Sequence, residues 1–94
     1  IEEYLSCVVL YRDLPDAWEI TLIASHPRFR RRGCAAAIIE EMIQCKPPIK
    51  EIWLEAHEKN IKAQALYLRM GFQIVGKRPR YYSDQSNAIM YALK

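Results

Sequence analysis

Ninety-four residues make one domain or part of one. A chain that is 51% hydrophobic and 27% charged is not disordered, and no apolar run approaches the about 20 residues that cross a bilayer. The net charge of +3 is mild, but it is concentrated, and local patches imply anionic partners more than a general affinity for nucleic acid. Arg28, Arg30, Arg31 and Arg32 form one patch and Lys77, Arg78 and Arg80 another, so anionic partners are expected locally. Cys7, Cys34 and Cys45 are odd in number and form no C-x-x-C pair, which argues against a disulfide framework or a zinc site and for the cytoplasm. No signal peptide is visible.

In chain order, "LSCVVLY" (5–11) is a nearly continuous apolar run and reads as a buried strand. "RDLPDAW" carries turn chemistry, and "EITLIAS" (19–25) is β-branched and apolar, a second strand antiparallel to the first that Pro27 stops. From Ala35 the period changes. Ala35, Ile38, Ile39, Met42 and Ile43 form one apolar stripe of a helix, with Glu40, Glu41 and Gln44 opposite, and Pro47-Pro48 ends it. In "IKEIWLEAH" (49–57) alternation returns: Ile52, Leu54 and Ala56 point one way, Trp53, Glu55 and His57 the other. Asn60 is an N-cap for a helix over 61–70, closed by Gly71. "FQIVGKR" and "NAIMYAL" read as two more strands around a polar "SDQS" turn. The order is β-β-α-β-α-β-β, an α/β (α+β) fold whose mixed sheet is expected to carry helices on both faces, in one domain over 1–94.

One stretch breaks a local rule. "RFRRRGCAAAII" (28–39) stacks cations on a helix N-terminus, where the dipole repels them. A bound polyphosphate resolves the conflict: backbone N–H groups and the dipole attract it, Gly33 permits close approach, and Ala35, Ala36 and Ala37 leave little side chain in the way. A solvated basic turn is the plain alternative, and a nucleic-acid backbone is another anion of the right charge.

"RRRGCA" (30–35) resembles the R/Q-x-x-G-x-G/A motif with which the GNAT family of N-acetyltransferases seats the pyrophosphate of acetyl-CoA. "IASHPRFRRRGCAAAII" resembles that family's strand, proline, loop and helix in register. "IWLEAHEKNIKAQALYLRMGF" is similar to its second motif, a strand ending in L-E-x followed by N-x-x-A-x-x-L-Y-x-x-x-G-F. "GKRPRYYSDQSNAIMYAL" resembles the C-terminal hairpin of the branch that acetylates protein α-amines, with the nearest likeness to the bacterial ribosomal-protein-alanine N-acetyltransferases. The resemblance covers nearly the whole chain from about residue 18. It implies a GNAT-like, mostly antiparallel sheet, with acetyl-CoA as cosubstrate and no metal. It also implies that the strand and helices with which the family fold begins are missing, leaving the C-terminal, acetyl-CoA-binding part. A sheet without its first strands would expose an edge that invites pairing.

The resemblance assigns roles by residue. Glu55 matches the catalytic base, and Tyr67 the acid that protonates the departing thiolate. Asn60 matches a cofactor contact. Ile23, Ala24 and Ser25 match the strand end that receives the pantetheine arm and offers an N–H to the oxyanion. Arg30, Arg31, Arg32, Gly33, Cys34, Ala35 and Ala36 match the pyrophosphate cradle. The residues also admit plainer readings: a solvent-facing Glu55, a packed Tyr67, a merely capping Asn60. His57 is a fallback base, and Cys34 sits where a thiol is activated. The implied acceptor is an amine, foremost the N-terminal α-amine of a ribosomal protein. Such an amine titrates at about 7.7–8.0 against about 10.4 for lysine, so a modest base serves it. A small RNA- or ribosome-binding module is the competing class, which would need neither Glu55 nor Tyr67. A CoA-binding fragment without turnover is a third reading.

Overall fold

The computed structural model describes residues 7–25 and 34–94. Within them the elements follow the order read from the sequence: β1 (Cys7–Asp13), β2 (Ala17–Ser25), α1 (Cys34–Cys45), β3 (Glu51–His57), α2 (Ile61–Arg69), β4 (Gln73–Arg78) and β5 (Ala88–Leu93). The strands form one sheet in the order β1-β2-β3-β5-β4, and every neighbouring pair is antiparallel except β2 with β3. That parallel pair needs a crossover, which α1 supplies.

Two boundaries differ from the expectation. The turn after β1 is tighter, because Asp13 already pairs with Trp18 and the Leu14 N–H donates to the Ala17 carbonyl at 2.8 Å. The Arg12–Glu19 ion pair sits on facing positions of the same ladder and extends both strands into the polar segment. Among the described residues β1 has one strand neighbour, β2, and it is exposed from Leu10 onward, where its apolar run suggests burial. The cysteine expectation fails at one position: Cys7 is disulfide-bonded, while Cys45 is free and exposed. An odd count leaves room for one pair, and sequence spacing does not say which thiols a fold brings within bonding reach.

Strand alternation divides the sheet into two unlike faces. Ile52, Leu54 and Ala56 are buried on one, opposite Leu93, Tyr91 and Ile89 of β5. Ile39 and Met42 of α1 and Tyr67 of α2 join these residues, with Ile20 and Phe72, in a single core. Both helices therefore pack on the same face. The other face, with Trp53, Glu55 and His57, has no helix on it among the described residues.

The end of α2 is set by its sequence. The Gly71 N–H donates to Leu68 O at 3.1 Å and the Phe72 N–H to Tyr67 O at 3.0 Å, a Schellman closure that turns on Gly71 at φ +102°. The apolar contact that accompanies such closures is the Tyr67–Phe72 ring pair, 6.0 Å between centroids. Closing the helix thus also fixes the ring of Tyr67.

Candidate active site

β2 and β3 pair at only three positions, from Ala17–Glu51 to Glu19–Trp53. Beyond that they part, although β1 follows β2 to Ser25 and β5 follows β3 to His57. A bulge marks the parting point. Leu10 faces Leu22 and Tyr11 faces Ile20, so Thr21 is an extra residue on β2, and its hydroxyl donates to Leu10 O at 3.3 Å. Bulges bend a strand and sharpen its twist, which steers β2 away from β3. The result is a wedge in which residues 20–25 and 54–57 each keep one paired edge and leave one free. An open cavity of about 860 Å³ fills the wedge and continues over the helix-free face.

Glu55 lines this cavity from β3, with its side chain 25% exposed. It is not free: Arg78 of β4 reaches over β5 and places Nε 2.6 Å from Glu55 Oε1. The guanidinium also lies over the Tyr81 ring, 5.5 Å from its centroid, and Tyr81 meets Tyr82 edge-on at 5.2 Å. Burial pushes the Tyr82 phenol above its ordinary value, and the carboxylate of Glu55 adds to the rise.

α2 brings the second wall. Asn60 caps it, its Oδ1 accepting from the Ala63 N–H at 3.1 Å. Asn60, Ala63 and Tyr67 line the cavity together, as their spacing on a helix requires. The Gln64 amide donates to the carbonyls of His57 (3.1 Å) and Glu58 (2.7 Å), clamping the helix start to the end of β3. Tyr67 is 7% exposed, and its ring meets Tyr91 edge-on at 5.5 Å. Burial pushes the Tyr67 phenol up, with smaller contributions from Tyr91 and Tyr82, so it holds its proton at neutral pH. Tyr91 also lines the cavity, and its buried hydroxyl has no hydrogen-bond partner.

His57 closes one end of the site. Its Nδ1 accepts the Lys59 N–H at 3.0 Å, which leaves Nε2 to donate to Asp84 at 3.2 Å, and its ring stacks on Tyr82 at 4.6 Å. Both ring nitrogens are engaged, so His57 ties β3 to the β4–β5 loop and is not placed as a free base. The loop is ordered by its own bonds: Arg80 N–H to Asn87 Oδ1 at 3.0 Å, Ser86 N–H to Asp84 Oδ1 at 3.0 Å, and Tyr82 N–H to Ser86 O at 3.2 Å.

Of the residues singled out from the sequence, Glu55, Asn60, Tyr67 and Ile23 meet at the one cavity. Ala24 and Ser25 continue the splayed end of β2, paired to Val8 and Cys7 on their outer side. Cys34, Ala35 and Ala36 form the first turn of α1. Arg28, Arg30, Arg31, Arg32 and Gly33 lie outside the described residues, as does the side chain of Cys34. Sequence reading missed Arg78 as the partner of Glu55, and it missed Tyr91. Arg78 was visible only as part of a basic patch, because strand order decides that β4 lies two strands from β3.

The profile of the acetyltransferase (GNAT) family matches residues 2–72. The chain belongs to the GNAT family. Among its relatives, the ribosomal protein bS18-alanine N-acetyltransferase of Escherichia coli (strain K12) is 34% identical over 76 residues, covering 76% of this chain and 51% of that protein. The crystal structure of the ribosomal-protein-S18-alanine N-acetyltransferase from Escherichia coli has a TM-score of 0.86 at 30% identity, over 94% of this chain and 60% of that one. The N-alpha-acetyltransferase RimI of Mycobacterium tuberculosis is 34% identical over 73 residues, 78% of this chain and 46% of that protein. A chain of the NatC complex bound to Gag peptide and CoA has a TM-score of 0.76 at 26% identity, over 93% of this chain and 58% of that one. This GNAT chain thus spans about half the length of these two curated relatives, and 22% of a third, a Mycobacterium leprae protein to which it is 37% identical over 80 residues.

Proposed function

We propose that residues 1–94 form the acetyl-CoA-binding, C-terminal part of an N-acetyltransferase that acetylates the N-terminal α-amine of a protein, foremost a ribosomal protein, by direct attack on the thioester. The observation that carries this reading is the wedge, which has a free strand edge on each side and both Glu55 and Tyr67 in its lining. The free edge of β2 suits an extended amide-bearing arm, which hydrogen-bonds there like an added strand. A relative named as a bS18-alanine N-acetyltransferase and a structural neighbour holding CoA support the same assignment. A ribosomal acceptor implies the cytoplasm.

Acetyl-CoA supplies an activated acyl carbon. Glu55 accepts a proton from the attacking amine nitrogen, directly or through a water. As the C–S bond breaks, the Tyr67 hydroxyl donates its proton to the departing sulfur, and its raised pKa keeps that proton available. Backbone N–H groups at the end of β2 (Ile23, Ala24, Ser25) stabilise the developing oxyanion. Arg30, Arg31, Arg32 and Gly33, with the α1 turn at Cys34, Ala35 and Ala36, hold the pyrophosphate. Asn60 spends its oxygen on the cap and keeps its amide for the cofactor.

Calorimetry with acetyl-CoA, and mass spectrometry of an N-terminal peptide panel, test the proposal. Binding and α-amine acetylation are expected. Glu55→Gln lowers kcat by about 10²-fold or more with acetyl-CoA affinity kept, whereas Arg31→Glu weakens that affinity strongly. A folded protein that binds no acetyl-CoA overturns the reading.

A further inference from the structure

In the cleft, the residue placed to act as base stands already paired with a cation. Arg78 Nε contacts Glu55 Oε1 at 2.6 Å on the helix-free face. The small side chain of Ala88, which faces Arg78 in the β4–β5 ladder, lets the arginine cross β5. The guanidinium is held from a second side by Tyr81, at 5.5 Å. Among the described residues lining the cleft, Arg12 pairs with Glu19, while Glu51 accepts the neutral Trp53 indole N–H at 2.9 Å and keeps its charge. At Glu55 itself an arriving acceptor therefore meets a neutral pair in place of a lone carboxylate.

That difference bears on which amine is used. A lone, half-buried carboxylate attracts ammonium ions, while a carboxylate beside a fixed guanidinium repels a second cation about as much as it attracts it. Near pH 7.5 almost every lysine side chain arrives as an ammonium, since it titrates at about 10.4, whereas an α-amine titrating at about 7.7–8.0 is neutral in an appreciable fraction of encounters.

We propose that Arg78 is a positioning and selectivity residue, which orients Glu55 and, by neutralising it, makes the site favour an acceptor that arrives uncharged. This inference rests on the N-acetyltransferase reading. Arg78 exchanges no proton in the step, because a guanidinium stays charged. The amine proton still passes to Glu55, and the acyl group to the amine nitrogen.

The test compares wild type, Arg78→Met, Arg78→Lys and Tyr81→Leu on two peptides. One has a free α-amine and no lysine; the other is N-terminally blocked and carries one lysine. kcat and KM are measured for each from about pH 6.5 to 9.5, a range that brackets α-amine titration. Arg78→Met is expected to lower the α-amine-to-lysine ratio of kcat/KM by about fivefold, the scale of a half-exposed ion pair. It acts mainly through a lower KM for the lysine peptide, flattens the rise of α-amine activity with pH, and leaves acetyl-CoA affinity unchanged. Arg78→Lys retains most of the wild-type ratio, and Tyr81→Leu shifts it less than Arg78→Met. An active wild type whose ratio and pH profile survive Arg78→Met overturns the assignment of Arg78 and leaves the proposed function standing. Equal loss in Arg78→Lys and Arg78→Met overturns the charge argument as well. A wild type that acetylates neither peptide overturns the proposed function, and this inference with it.

Discussion

Tyr67 combines packing with an available proton. Its ring is wedged between Phe72 and Tyr91, and the same burial that makes it a core residue raises its phenol pKa. Tyr67→Phe should keep the fold and the acetyl-CoA dissociation constant while lowering kcat by about 10²-fold or more, which steady-state kinetics beside calorimetry would show. Tyr91 makes a contrasting case. Its hydroxyl is buried without a partner, and an unmet buried hydroxyl costs about 1–3 kcal/mol. Tyr91→Phe should therefore raise stability by about 1 kcal/mol, read from the midpoint of urea unfolding. Glu55 and Tyr67 were legible in the sequence because each sits in a local motif of fixed spacing. The Glu55–Arg78 pair was not, because the two residues are on strands that neighbour each other only through β5.

At α2, start and stop signals were both readable, and both do more than end a helix. Asn60 caps the first turn from a position on the cleft wall. Asn60→Ala should cost about 1 kcal/mol. Asn60→Asp keeps the cap, so its unfolding midpoint should stay near wild type. The proposed cofactor contact of Asn60 predicts a fall in acetyl-CoA affinity, a carboxylate replacing the amide donor that would face an anionic cosubstrate. Comparing the two variants by urea unfolding and calorimetry separates capping from binding. At the other end, Gly71 has φ +102°, and a Cβ there would lie 3.7 Å from Leu93 Cδ1, an ordinary contact. Gly71→Ala should thus cost about 1–2 kcal/mol from backbone strain alone, visible as a lower thermal midpoint. β1 shows the opposite case. Its apolar run was legible, but its exposure from Leu10 onward was not, since hydrophobicity does not say how many neighbours a strand has.

Across the molecule, three partly or fully buried phenols near one cavity set an alkaline limit. Tyr67, Tyr82 and Tyr91 all have pKa values raised from 10.0, with burial the first cause in each. Below pH 10 they are protonated folded and unfolded, and their contribution is fully present. Above it the unfolded chain releases protons that the folded one retains, so stability should fall as pH rises through 10 and toward the raised values. Urea midpoints measured between neutral pH and about pH 11 would show this, with a shallower decline in Tyr67→Phe. On the acid side, the Ser86 N–H holds Asp84 below 3.8. The stability from that bond is present above 3.8 and is lost as pH falls through the lowered value.

Element order, the two helix stripes, the cap at Asn60, the closure at Gly71 and the family motifs were all written in short stretches of chain. Each depends on neighbours within about one or two turns, so periodicity and turn chemistry suffice to find them. The wedge and the partner of Glu55 depend on which strands lie side by side and where a bulge falls. Those are contacts between residues distant in sequence, settled by how all the apolar rows are buried together. Thr21 is the plainest instance: nothing near it in the chain marks it as the extra residue at which β2 leaves β3 and the cleft begins.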